Sequence, residues 1–99
     1  MLLALSHFDT TFSTRLRGEE LRLRVEAAVK AGDPVTIDLS GVLAISYSFA
    51  DEFAGVLAQH AAASPTPQSL TFVGASPDVE RVLRRAWRNR KAEPRPLLA

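Results

Sequence analysis
The apolar and polar positions along the chain change period several times, and each change marks an element. Leu2 to Leu5 is a short apolar run that predicts a first strand at or near a sheet edge. Phe8 and Phe12 flank the polar turn Asp9-Thr10-Thr11 and are expected to pack against the core as the chain reverses. From Ser13 or Thr14, either of which can cap a helix, Leu21, Val25, Ala28 and Val29 recur on one face of a 3.6-residue repeat up to about Ala31. Glu19 and Glu20 in the early turns and Lys30 in the last suit the helix dipole, and Gly32-Asp33-Pro34 terminates it. Val35-Thr36-Ile37-Asp38-Leu39 then alternates as a strand, and Ser40-Gly41 ends it.

After the apolar crossover Val42 to Ile45, a second helical pattern runs from Phe49 to about Ala62, with Ser48 as its expected N-cap and Asp51 as the carboxylate of a capping-box-like pair. Phe49, Phe53, Val56, Leu57 and His60 form its expected core side. Asp51, Gly55, Ala58, Gln59 and Ala62 form a second face of mostly small residues, expected to be little obstructed. Ser64-Pro65-Thr66-Pro67 reads as a loop, and Leu70 to Val73 as a buried strand closed by Gly74. Ser76-Pro77 starts a last helix that runs to about Arg90, with Val79, Val82, Leu83, Ala86 and Trp87 inward.

Strands alternating with helices predict an α/β chain, bordering on α+β. The expected order is a β-α-β-α-β-α sandwich, with helices packed against a mixed sheet of three to four strands. Ninety-nine residues make one domain, expected over residues 1–91, with 92–99 as a flexible tail. There is no internal repeat. The chain has no cysteine, which excludes a disulfide scaffold and cysteine-based zinc or redox chemistry. No segment is long enough to span a bilayer and the first residues carry no basic leader, so the expected compartment is the cytoplasm.

The net charge of +1 names no partner class, but its distribution is uneven. Residues 1–75 hold five basic and eight acidic side chains, whereas residues 76–99 hold seven basic and three acidic ones. Arg81, Arg84 and Arg88 share a face of the last helix, with Arg85 and Lys91 beside it. Such a stripe is ordinarily a solvated helix face; read functionally, it would meet nucleic-acid phosphates or an acidic partner. Trp87 lies on the opposite side, so the stripe has no aromatic residue for base stacking.

Chemistry-bearing residues concentrate where the strand and crossover lead into the second helix. Asp51 and Glu52 are adjacent and project about 100° apart, so they do not form a catalytic pair. An acidic contact for a basic partner surface suits them better. Asp38, on the polar phase of its strand, is expected to accept hydrogen bonds from a neighbouring backbone. His7 and His60 have no metal-ligand spacing, and neither a nucleophilic triad nor a phosphate-binding glycine loop is present. The expectation is a non-enzymatic protein without metal or cofactor. The expected partner surface is Ser46, Tyr47, Ser48, Asp51, Glu52, Gly55 and Gln59.

The run Ile37-Asp38-Leu39-Ser40-Gly41-Val42, followed by Ser46-Tyr47-Ser48-Phe49-Ala50-Asp51-Glu52-Phe53, resembles STAS domains, the bacterial anti-sigma-factor antagonists and their sulfate-transporter relatives. It is more similar still to the small STAS-like family of unknown function, which Phe12-Ser13-Thr14-Arg15 also suits. The similarity covers about residues 8–87. It implies a switch module that docks on a kinase-type ATPase or anti-sigma factor and is turned off by phosphorylation of a serine at a helix N-terminus. The family's Asp-Ser-Ser-Gly aligns with Ser46, Tyr47, Ser48 and Phe49, so a tyrosine stands at the usual phosphoacceptor position. Ser48, Ser46 and Tyr47 are the candidate acceptors, although Asp51 would repel a phosphate on Ser48. A homodimer through the edge strand is a further expectation. The alternative function is nucleic-acid association through Arg81, Arg84, Arg85 and Arg88.

Overall fold
In the computed structural model, residues 1–64 and 69–92 are described. Most of the Ser64–Pro67 loop and the tail expected from residue 92 therefore lie outside the described residues. The elements are β1 (Leu2–Ala4), β2 (Thr11–Phe12), α1 (Arg15–Lys30), β3 (Val35–Asp38), β4 (Ala44–Ile45), α2, β5 (Leu70–Val73) and α3 (Pro77–Asn89). A 3₁₀ turn, Leu5–His7, follows β1. Helix α2 is continuous over residues 47–63 but has three parts: α-helical Tyr47–Ala50, a π-turn Asp51–Gly55, and α-helical Val56–Ala63.

The expected α/β class holds, and every strand pair among the described residues is parallel rather than mixed. The main sheet has the order β1-β3-β5, with β1 at an edge as its short apolar run predicts. Its register aligns Leu3, Ile37 and Phe72 in one row, and all three are buried. The adjacent rows, Leu2-Thr36-Thr71 and Ala4-Asp38-Val73, are more exposed. The helices therefore cover one face of this sheet. Phe53 of α2 and Trp87 of α3 both meet the Phe72 ring edge-on, and Leu21 and Val25 of α1 join the same core.

A second sheet, β2-β4, has only two residues per strand. The sequence pattern reads these residues as a turn and a crossover, because two residues are too few to show alternation. This pairing sets where two helices begin. The Ser46 N–H donates to the Phe12 carbonyl, so α1 and α2 leave the small sheet side by side. Local signals fix the ends. Thr14 caps α1 by accepting from the Arg17 N–H at 3.1 Å. At the other end Gly32, with φ of +84°, lets the Gly32 and Asp33 N–H groups return to the Val29 and Ala28 carbonyls. Ser76 caps α3, with Pro77 in its first turn.

The π-turn corrects the expected phase of α2. It spends an extra residue on one turn, which rotates everything downstream relative to an unbroken α-helix. Ala58 is accordingly buried, whereas His60, expected on the core side, faces outward and pairs with Glu26 at 2.7 Å. Two carbonyls of the π-turn accept from neighbouring helices. Arg22 Nε of α1 donates to Glu52 O at 3.1 Å, and Trp87 Nε1 of α3 donates to Ala54 O at 3.0 Å. An aromatic file, Phe12-Phe49-Phe53-Phe72-Trp87, runs past the same turn with successive centroids 4.9 to 6.2 Å apart.

Helix α1 approaches the π-turn closely at Gly18. A Cβ there would stand 3.0 Å from the Phe49 carbonyl oxygen and 3.2 Å from Glu52 Cβ. On an open helix face, glycine to alanine stabilises by about 1 kcal/mol. Gly18→Ala should instead lower stability by about 1 kcal/mol or more, because backbone has to move. Urea denaturation measures it, and a gain in stability would contradict this packing.

Candidate functional site
The start of α2 is built by its own hydroxyls. Ser46, not Ser48, is the N-cap: its backbone is extended, and its Oγ accepts from the Phe49 N–H at 3.0 Å. The same hydroxyl donates to the Ser13 carbonyl at 3.0 Å, linking the starts of α1 and α2. The cap falls two residues earlier than the pattern suggests because β4 delivers the chain to the helix directly after Ile45. Tyr47 is also engaged. Its hydroxyl accepts from Asn89 Nδ2 at 2.9 Å, and the Arg85 guanidinium lies 4.9 Å from its ring centroid. Ser48 is half-buried, and its hydroxyl makes no side-chain hydrogen bond among the described residues.

The face of α2 expected to be little obstructed is covered at Asp51, Gly55 and Ala58 and exposed at Gln59 and Ala62. Asp51 is 8% exposed and Gly55 and Ala58 are buried. Asp51 receives a two-point contact from Arg90, Nε to Oδ1 at 2.6 Å and Nη2 to Oδ2 at 2.9 Å, and a third bond from Arg15 Nη1 at 2.9 Å. Gln59 is exposed and accepts from Arg90 Nη1 at 2.9 Å. Glu52 accepts from Arg22 Nη2 at 2.9 Å and lies 3.4 Å from Arg15 Nη1. Arg22 continues to Glu26, which meets His60. The two acids read from the sequence as steering charges are thus the centre of an ion-pair chain joining all three helices. Both carboxylates reach Arg15 of α1, and Asp51 also reaches Arg90 at the end of α3, so the pair clasps α2 to each neighbouring helix.

Arg15, Arg22, Asn89 and Arg90 are the members that sequence reasoning did not single out. Their signal is faint: Arg15 and Arg22 are seven residues apart on α1, and glycines at 18 and 55 interrupt two helices that are otherwise strong helix formers. Arg90 depends on where α3 ends, which periodicity does not fix.

Outside the clasp, Asp38 behaves as expected. Its Oδ1 accepts from the Ser40 N–H at 2.9 Å, and the Ser40 backbone and hydroxyl hold its carboxyl below the usual range. Of the basic stripe, Arg81 pairs with Asp78 and Arg84 with Glu80, while Arg85 covers Tyr47. Arg88 is exposed. Among the described residues no acid and histidine cluster could hold a metal ion, and no helix is long and apolar enough to cross a membrane.

The Arg90 hydrogen bonds, working against partial burial and helped by Arg15, hold the Asp51 carboxyl down at about 2, from an ordinary value of 3.8. A lowered folded-state pKa stabilises the fold above the unfolded value, and that contribution is lost as pH falls through the folded one. Asp51 should therefore add about 2 kcal/mol at neutral pH, lost between roughly pH 5 and pH 1. Asp51→Asn should flatten the acid limb of the stability profile in that window. Equal slopes in the two proteins would contradict the assignment.

Residues 17–80 match the family model of a STAS-like domain of unknown function. No curated protein and no solved structure matches the chain.

Proposed function
Because the chain belongs to the family of STAS-like domains of unknown function, we propose that it is a non-enzymatic regulatory module that binds a protein partner. By analogy with the anti-sigma-factor antagonists, that partner is a kinase-type ATPase or an anti-sigma factor. The observation that carries this reading is the first turn of α2. Ser46 and Tyr47 are committed to internal contacts, which leaves the Ser48 hydroxyl as the group that can be modified without dismantling the helix start.

The docking surface is centred on Ser48 and on two exposed leucines. Leu43, 72% exposed, lies three residues before the Ser46 cap. Leu16, 67% exposed, lies three residues after Ser13, whose carbonyl the Ser46 hydroxyl reaches. Asp51, Glu52 and Gly55 support this surface from within rather than touching the partner. A phosphate on Ser48 would sit at the positive end of α2. The repulsion expected from Asp51 is reduced, because Arg15 and Arg90 already neutralise that carboxylate. The module would then switch by adding charge to an apolar contact, which opposes docking through desolvation.

Purification of the tagged chain from its source cells, with intact mass and identification of the bound protein, tests the reading. A kinase-type ATPase or anti-sigma factor should co-purify. Leu43→Glu and Ser48→Asp should each weaken its binding at least tenfold, about 1.4 kcal/mol. A folded Leu43→Glu variant that binds as tightly as wild type would remove the surface, and absence of such a partner would remove the function.

A further inference from the structure
The Arg90 guanidinium occupies a seat that fits its shape on several sides. Nε and Nη2 match the two oxygens of Asp51, and Nη1 meets Gln59 Oε1 at 2.9 Å, so each nitrogen of the fork has an acceptor on α2. The floor is Gly55. A Cβ at this position would lie 3.0 Å from Arg90 Cδ, 3.2 Å from Nε and 3.2 Å from Asp51 Oδ1. Glycine inside a helix is destabilising by about 1 kcal/mol relative to alanine. Here it lets the arginine stem and fork lie against the helix backbone.

Carboxylate, amide oxygen and bare backbone together recognise a planar fork. A lysine ammonium, a compact point charge, would satisfy one acceptor at a time. The seat is also close to solvent: the Asp51 side chain is 11% exposed and that of Arg90 is 27% exposed. Arg90 itself is the C-cap of α3. Its N–H is shared between the Ala86 and Trp87 carbonyls, both at 3.2 Å, and Lys91 next to it adopts a positive φ of 52°. For the guanidinium to leave with its backbone, this cap unwinds and gives up the Lys91 N–H bond to Arg88 O and the Ala92 N–H bond to Trp87 O, while Trp87 anchors the rest of α3 in the core.

We propose that Asp51, Gly55 and Gln59 form a receptor for an arginine side chain. Arg90 fills it in cis, and an arginine presented by another polypeptide takes the same place when the last turn of α3 withdraws. The ligand class is a solvent-facing arginine in a peptide segment. This site is separate from the Ser48 surface and does not depend on the function assigned to it.

Chemical rescue tests it on the full chain. Arg90→Ala is heated with N-acetyl-arginine methylamide or with N-acetyl-lysine methylamide at matched concentration and ionic strength. The arginine compound should raise Tm in a saturable way and by at least twice the shift given by the lysine compound. That difference should vanish in wild type, where the seat is filled. It should also vanish when Asp51→Asn or Gly55→Ala is added to Arg90→Ala. Equal shifts from the two compounds, or an arginine-specific shift that survives Asp51→Asn, would overturn the proposal. If Arg90→Ala does not fold, the same comparison is made on Arg90→Lys, which keeps the charge and loses the fork. The expected and contrary outcomes are unchanged.

Discussion
One carboxylate, Asp51, holds the helical layer in register. It sits on the π-turn in the middle of α2, between Arg15 of α1 and Arg90 of α3. Dispersion and apolar burial bring the three helices onto the sheet through Leu21, Phe53, Leu83 and Trp87, but such contacts are not directional. The two-point Arg90 contact is directional, and so are the bonds from Arg22 and Trp87 to the π-turn carbonyls. Together they specify how far each helix slides along its neighbour. The π-turn belongs to the same solution. It carries Asp51 and Glu52 in line with the arginines of α1, and it turns His60 out of the core.

Much of this was legible in the residues. The helix α1 with its cap and glycine stop, β3, β5 and α3 all follow from period, capping and turn chemistry acting within a few residues. The alternation of strands and helices gave the α/β class, whereas the all-parallel pairing differs from the mixed sheet expected. What the sequence hid has a common cause: it depends on contacts between distant segments. Strands of two residues, β2 and β4, have no period to detect, yet their pairing moves the cap of α2 from Ser48 to Ser46. The π-turn leaves no local signature, so a straight α-helical wheel misplaced His60 and made the face around Gly55 look open. Asp51 and Glu52 were recognised as chemically important positions, but their partners lie thirty or more residues away on either side.

The family relationship and the site geometry divide the labour along α2. The first turn, from Ser46 to Ser48, commits two of its three hydroxyls to internal contacts, and the proposed docking surface rests on the third. The second turn is held by Arg15, Arg22 and Arg90, so it sets the position of the first. A partner that engages Leu43 and Leu16 would meet a surface whose geometry is fixed by the Asp51 clasp behind it. The basic face of α3 contributes to that support through Arg85 on Tyr47 and Arg90 on Asp51, a use of positive charge inside the protein.

The most direct test of this account is a double-mutant cycle between Asp51→Ala and Arg90→Ala, read by urea denaturation at neutral pH. The clasp predicts a coupling energy of about 1 kcal/mol or more, so that the second substitution costs much less once the first is made. Additive losses, within about 0.5 kcal/mol, would mean that the two side chains act independently and that packing alone positions the helices.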